Sequence, residues 1–140
     1  MMGHIVTPVK LTNADDRAVY ERGFIDASDV RVYEMEGLVD TGAVMLALPL
    51  DVVEHLGLAE RRRVSVAMAD GSRDTRAVAG PLVIEVVGRE MVTECIVIPP
   101  GNEVLIGQVI LEELDLIADC QKRALYPRPE SPIYPLLNLK

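Results

Sequence analysis

The run Leu38-Val39-Asp40-Thr41-Gly42-Ala43 constrains this chain of 140 residues more than any other feature. An apolar pair leads into a tight turn that carries a carboxylate at its tip, beside a hydroxyl and a glycine that lets backbone pass close by. Further along, Val104-Leu105-Ile106-Gly107 offers a second apolar run ending in glycine. A carboxylate presented in this way can meet a second copy of itself across a two-fold axis. Two like carboxylates in contact cannot both ionise, so the pair holds one proton over a wide pH range and supplies a base and an acid together.

Such a pair can hydrolyse a peptide bond. The base takes a proton from the water that attacks the carbonyl, and the acid protonates the carbonyl oxygen. Neither a metal nor a nucleophilic side chain is needed. The chain has no good second Asp-Thr/Ser-Gly; the nearest look-alikes are Asp70-Gly71-Ser72 and Asp26-Ala27-Ser28. At this length there is room for one domain and one core. The second Asp therefore has to come from another copy, which makes a symmetric homodimer the expected assembly.

Composition narrows the partners. The formal net charge of −8 argues against nucleic acid, whose phosphates are met by clustered Lys and Arg. Arg61-Arg62-Arg63 is the only basic run and reads as a solvated turn before a strand. No apolar stretch nears the roughly 20 residues that span a bilayer, and the N-terminus lacks a signal peptide's charged-then-apolar order. These readings give no membrane partner and a cytoplasmic location. Cys95 and Cys120 read as packed thiols, and His4 and His55 have no partners at metal-ligand spacing, so neither metal nor cofactor is expected.

With one Phe, four Tyr and no Trp, the core has to be aliphatic. Strand signals cover Ile5 to Leu11, Ala18 to Ile25 and Val30 to Val39, with a turn at Asn13-Ala14-Asp15-Asp16. Leu46 to Leu58 reads as a short helix with Pro49 in its first turn and Gly57 as its stop. Val64 to Ala69 alternates with strand periodicity, and Asp70-Gly71 then reads as a two-residue hairpin turn in which both positions tolerate positive φ. Leu82 to Val87 and Met91 to Ile98 read as buried strands joined by Gly88-Arg89-Glu90, with late strands at Leu116 to Asp119 and Ala124 to Tyr126. Four prolines from Pro127 to Pro135 exclude helix and central strand. The expected division is one domain over residues 1–126 and a proline-rich tail over 127–140. Ile133, Tyr134, Leu136, Leu137 and Leu139 make the tail too apolar for a solvated linker, so it is expected to pack on a partner subunit or against a cleft.

From about Val30 to Leu125, the chain resembles the retroviral-type (retropepsin-like) aspartic proteases, in the form of a bacterial or cellular single-domain member. Four features carry the resemblance in order: Leu38 to Ala43 as the catalytic turn, Val64 to Ala79 as a flap hairpin, Val104-Leu105-Ile106-Gly107 as the loop beside the turn, and Val109 to Leu114 as the following short helix. Ala43 is the retroviral choice where pepsin-like enzymes carry Ser. The resemblance implies an all-β, retropepsin-like acid-protease fold, a closed barrel or folded sheet with a flap hairpin and one or two short helices. It implies an aspartic endopeptidase in which Asp40 is catalytic and Thr41, Gly42, Ala43, Ile106 and Gly107 support the site. Ala69, Asp70, Gly71 and Ser72 would contact a peptide or protein substrate from the flap. Retroviral enzymes usually pair an acidic residue with an Arg at the positions that are Val44 and Gln108 here, so the competing reading is a weak or inactive protease-fold dimer that binds or assembles.

Overall fold

Alternation builds the first strand. Along β1 (Ile5–Asn13), Ile5, Thr7, Val9 and Leu11 are buried while Val6, Pro8 and Lys10 are exposed, as a strand with one face on a core requires. The computed structural model describes residues 4–139. After β1 come α1 (Ala14–Glu21), β2 (Val32–Val39), β3 (Ala47–Pro49), α2 (Leu50–Leu56), β4 (Ala59–Ala67), β5 (Arg73–Val86), β6 (Arg89–Ile98), β7 (Val104–Ile106), α3 (Gln108–Leu114), β8 (Leu116–Asp119) and β9 (Ala124–Pro127).

The main sheet has the order β1-β2-β7-β3-β6-β5-β4, and β1 also pairs with β5. That extra ladder, from Val9 opposite Val86 to Asn13 opposite Leu82, closes six strands into a barrel and leaves β4 outside on β5. β8 and β9 form a separate two-stranded sheet. The barrel interior is aliphatic, with Leu11, Leu48, Ile84 and Ile106 fully buried, and Ile110 and Leu114 of α3 join the same cluster. Truncating one such Leu to Ala costs about 2–5 kcal/mol.

Two of the expected elements are different. Asn13 ends β1 and caps α1, whose first turn takes in Ala14 to Asp16, and in the expected strand from Ala18 to Ile25 the residues Ala18 to Glu21 are helical and Arg22 to Ile25 turn away without pairing. The Asn13 side chain caps the helix by accepting the Asp16 N–H at 3.0 Å, and Asp15 and Asp16 suit the positive end of the helix dipole. Gly23, at φ +82, ends it: the Gly23 N–H donates to Tyr20 and the Phe24 N–H to Val19, a Schellman closure. Val19, Tyr20 and Phe24 gave this segment its strand-like composition, and all three are exposed.

The second difference is Ala47–Pro49, which forms strand β3 where a helix was expected from Leu46. It lies parallel to β6 and against β7, so sheet pairing overrides the helical pattern until Pro49, the residue that caps α2. The β5–β6 turn is also tighter than expected. Val87 and Gly88, at φ +52 and +75, make a two-residue hairpin, and Arg89 and Glu90 belong to β6.

Beyond β9 the chain is tied to the end of α3. Asp115 accepts from the Arg128 guanidinium, the Ser131 hydroxyl and the Leu136 N–H, and the buried Arg89 donates to the carbonyls of Leu114, Asp115 and Ser131. Ile133, Tyr134, Leu136, Leu137 and Leu139 are exposed, so they do not pack on their own barrel.

Candidate active site

Asp40 follows the last residue of β2, and its N–H still donates to Ile106 at 3.0 Å, continuing the parallel β2–β7 ladder. The turn closes with the Ala43 N–H on the Asp40 carbonyl at 3.1 Å, and the Gly42 N–H donates to Asp40 Oδ1 at 3.0 Å. Among the described residues no donor reaches Oδ2. A Cβ on Gly42 would lie 3.2 Å from that same Oδ1, so glycine keeps the approach to the carboxylate open.

The turn is braced from the far side by the second glycine motif. The Gln108 N–H donates to Ala43 at 2.8 Å and the Val109 N–H to Val44 at 3.1 Å. A Cβ on Gly107 would fall 2.6, 2.7 and 2.8 Å from the carbonyl oxygens of Met45, Val44 and Ala43, a space that no side chain can share. Of the expected support group, Gly42, Ala43, Ile106 and Gly107 therefore meet Asp40 directly or through one backbone step. Thr41 is exposed at the rim of a hollow of about 410 Å³ that it shares with Gln108, Asp115 and Arg128.

The departures from the retroviral pattern have clear places. Val44 is 67% exposed, and the Gln108 side chain donates to Glu112 at 3.2 Å within α3.

A row of side chains unread in the sequence leads away from Asp40. Leu38 lies opposite Leu105, Leu105 opposite Ala47, Ala47 opposite Ile96, Ile96 opposite Val78 and Val78 opposite Arg62. Directly paired residues share a face of the sheet, and Asp40, two residues after Leu38, continues that face. The core occupies the other face, through Val39, Ile106, Leu46, Leu48, Ala79 and Cys95. The carboxylate thus stands at one end of an apolar row in which Leu38, Leu105 and Ile96 are half-buried and form a floor, while Ala47 and Val78 between and beyond them are buried. Leu38, Ile96 and Val78 lie in segments that read as strands, whereas Ala47 was expected in a helix and Leu105 in a loop. Only the cross-strand register, which sequence spacing does not carry, puts them in one row.

The hairpin continues the floor. β4 pairs with β5 alone, and its Val64 and Val66 are half-buried while Ser65 and Ala67 are exposed. Its tip differs from the expected two-residue turn. The Gly71 N–H donates to Met68 at 3.0 Å and the Met68 N–H to Ser72 at 2.7 Å, so the loop is the three residues Ala69-Asp70-Gly71, with only Gly71 at positive φ, +88. Ser72 donates its N–H and hydroxyl to Asp70, and these bonds hold the Asp70 carboxyl below its usual range. Ala69, Asp70, Gly71 and Ser72 are exposed, and among the described residues no hydrogen bond ties them to the Asp40 turn.

Burial pushes the Cys95 thiol up to about 12, which makes it an inert core residue. His55 stacks edge-on against Tyr33, and among the described residues no three His, Cys, Asp or Glu side chains gather as a metal would need. No described helix is long and apolar enough to cross a membrane.

A closed six-stranded barrel with a projecting hairpin, and an Asp-Thr-Gly turn gripped by an apolar-apolar-Gly loop, define the acid-protease fold in its single-lobe form. The family model for aspartyl proteases matches residues 25–110, which include both glycine motifs and the hairpin, and the chain belongs to that family. Comparison with curated protein sequences returns no match.

Proposed function

We propose that this chain is an aspartic endopeptidase whose active site is shared by two protomers, each supplying Asp40. The observation that carries the reading is the braced turn. Asp40 has one carboxylate oxygen fixed by the Gly42 N–H and the other without a donor among the described residues, on a backbone held by Gly107 and Gln108. A group fixed in this way is preorganised for a partner that the single chain lacks.

In the dimer the two carboxylates share one proton. The ionised one takes a proton from water as that water attacks the peptide carbonyl carbon, and the protonated one donates to the carbonyl oxygen. Collapse of the tetrahedral adduct breaks the C–N bond and releases a carboxylic acid and an amine. In this reading Gly42 leaves room for water and carbonyl, Ala43 adds no hydroxyl beside the pair, and the Thr41 hydroxyl, which is exposed, bonds the partner's turn. The hairpin tip from Ala69 to Ser72 closes over the substrate. Two unpaired thiols support a reducing compartment, the cytoplasm.

The second reading, a dimer that binds or assembles without cleaving, draws on Val44 and Gln108, which replace the retroviral acid–Arg pair. Asp40→Asn separates the two. The variant is expected to lose cleavage of a peptide library by at least about a thousandfold while sedimentation still finds the dimer. Full cleavage by the variant would remove the aspartic mechanism.

A further inference from the structure

The floor that begins at Asp40 changes chemistry where it reaches the hairpin. Arg76 lies two residues before Val78 on the same face and stands opposite Val64 of β4. Its side chain is 25% exposed, whereas every other charged residue between 59 and 80 is in the exposed class. The Arg76 guanidinium meets Asp74 through a single contact, Nη2 to Oδ2 at 3.0 Å, and the Asp74 side chain is half exposed. A second pair on this face, Arg62 with Glu94 at 3.4 Å, joins β4 to β6 across β5, as side chains sharing one face should.

An exposed ion pair contributes little, so an incoming carboxylate can replace or join Asp74 with small loss, and the guanidinium has donors for both. The setting favours such a ligand. Arg76 has Val64 as its cross-strand partner and Val78 two residues on along the same face, and the hairpin holds Arg61, Arg62, Arg63, Arg73 and Arg76 against Glu60, Asp70 and Asp74. It is a basic arm on a chain of formal net charge −8. An acidic segment of peptide is repelled by the body and drawn to the arm.

Resting on the reading of the chain as an endopeptidase, we propose that Arg76 is a specificity-determining residue that selects substrates with an Asp or Glu side chain near the cleaved bond. Apolar side chains of the same substrate lie on the half-buried Leu38, Leu105 and Ile96. Four strand spacings, about 19 Å in all, separate β2 from β5, and Asp40 and Arg76 lie two residues to opposite sides of the paired row, about 13 Å along the strands, so about 23 Å of sheet separates them. That places the acidic residue within about seven extended residues of the scissile bond.

The test uses peptides with an apolar cleavage site that differ only in Glu, Gln or Lys at each flanking position, read as the ratios of kcat/KM to that of the Gln peptide. Wild type is expected to prefer Glu by about tenfold at one position at least, a difference of about 1.4 kcal/mol. Arg76→Gln is expected to bring that ratio to near one, and Arg76→Glu to shift preference to Lys at the same position. Asp74→Asn, an exposed change that frees the guanidinium, is expected to raise the Glu preference several-fold and carries the test if the Arg76 variants do not fold. Asp40-dependent cleavage with equal Glu and Gln rates everywhere, or a preference unmoved by Arg76 or Asp74 substitution, overturns this inference alone. Binding of labelled Glu and Gln peptides to Asp40→Asn gives the same comparison without turnover. If no peptide is cleaved and none is bound, the endopeptidase reading and this inference fall together.

Discussion

Gly107 and Gly71 are both glycines at the site, for opposite physical reasons. Gly107 has φ −85, a conformation open to any residue, but the carbonyl oxygens of Ala43, Val44 and Met45 occupy the place of its Cβ. Gly71 has open space around it and φ +88, so its need is conformational. Gly107→Ala is therefore expected to push the Ala43-Val44-Met45 loop away, to cost about 1–3 kcal/mol, and to lower turnover more than the stability loss accounts for. Gly71→Ala is expected to cost only about 1–2 kcal/mol, from backbone strain alone. Denaturant midpoints with matched cleavage rates check both; Gly107→Ala with wild-type stability would show that the loop yields freely. At this scale the sequence was informative because the requirements are local. A carboxylate next to glycine and an apolar run ending in glycine each leave a mark in adjacent residues. The row from Leu38 to Val78 leaves none, because its members meet only through four strand pairings.

Elements read less well where two signals compete. Val19, Tyr20 and Phe24 favour strand by composition, yet Asn13, the first-turn acids and Gly23 supply both ends of α1. Asn13 also donates its side-chain amide to the Leu56 carbonyl at 2.8 Å, so the residue that opens α1 also satisfies the end of α2. Ala47–Pro49 reads as helix in isolation and becomes strand because β6 and β7 leave one place between them. The link between α3 and the tail is a consequence of folding that proline content alone does not show. The Arg128 guanidinium, then the Ser131 hydroxyl and the Leu136 N–H, hold the Asp115 carboxyl well below the usual carboxylate range. A carboxyl with a lowered folded-state pKa contributes stability that is present above its ordinary value of about 4 and is lost only as pH falls through the lowered value. The clamp is thus expected to stay closed through mildly acidic solution, with the Leu136 amide protected from hydrogen exchange. Asp115→Asn, which keeps a residue tolerant of the left-handed φ of +58 found there, should expose that amide at every pH. Protection in the wild type that disappears between about pH 5 and 4 would contradict the clamp.

For the whole molecule, closure is what positions the site. The β1–β5 ladder turns an open sheet into a barrel, which fixes β2 against β7 and so sets the Asp40 turn against Gly107. Strand existence was readable from alternation and turn residues, but closure depends on pairing between distant segments and is not written in either strand. The proposed shared active site rests on one Asp-Thr-Gly in a chain that forms a single lobe, because the proposed chemistry needs two carboxylates. Mixing tests it most directly. Wild-type protein is combined with increasing Asp40→Asn protein at constant total concentration, allowed to exchange subunits, and assayed for peptide cleavage. A site made by two Asp40 residues leaves activity only in wild-type pairs, so an equal mixture should retain about a quarter of the wild-type rate, and the whole curve should follow the square of the wild-type fraction. An equal mixture that retains about half, on a straight line, would show that each chain works alone.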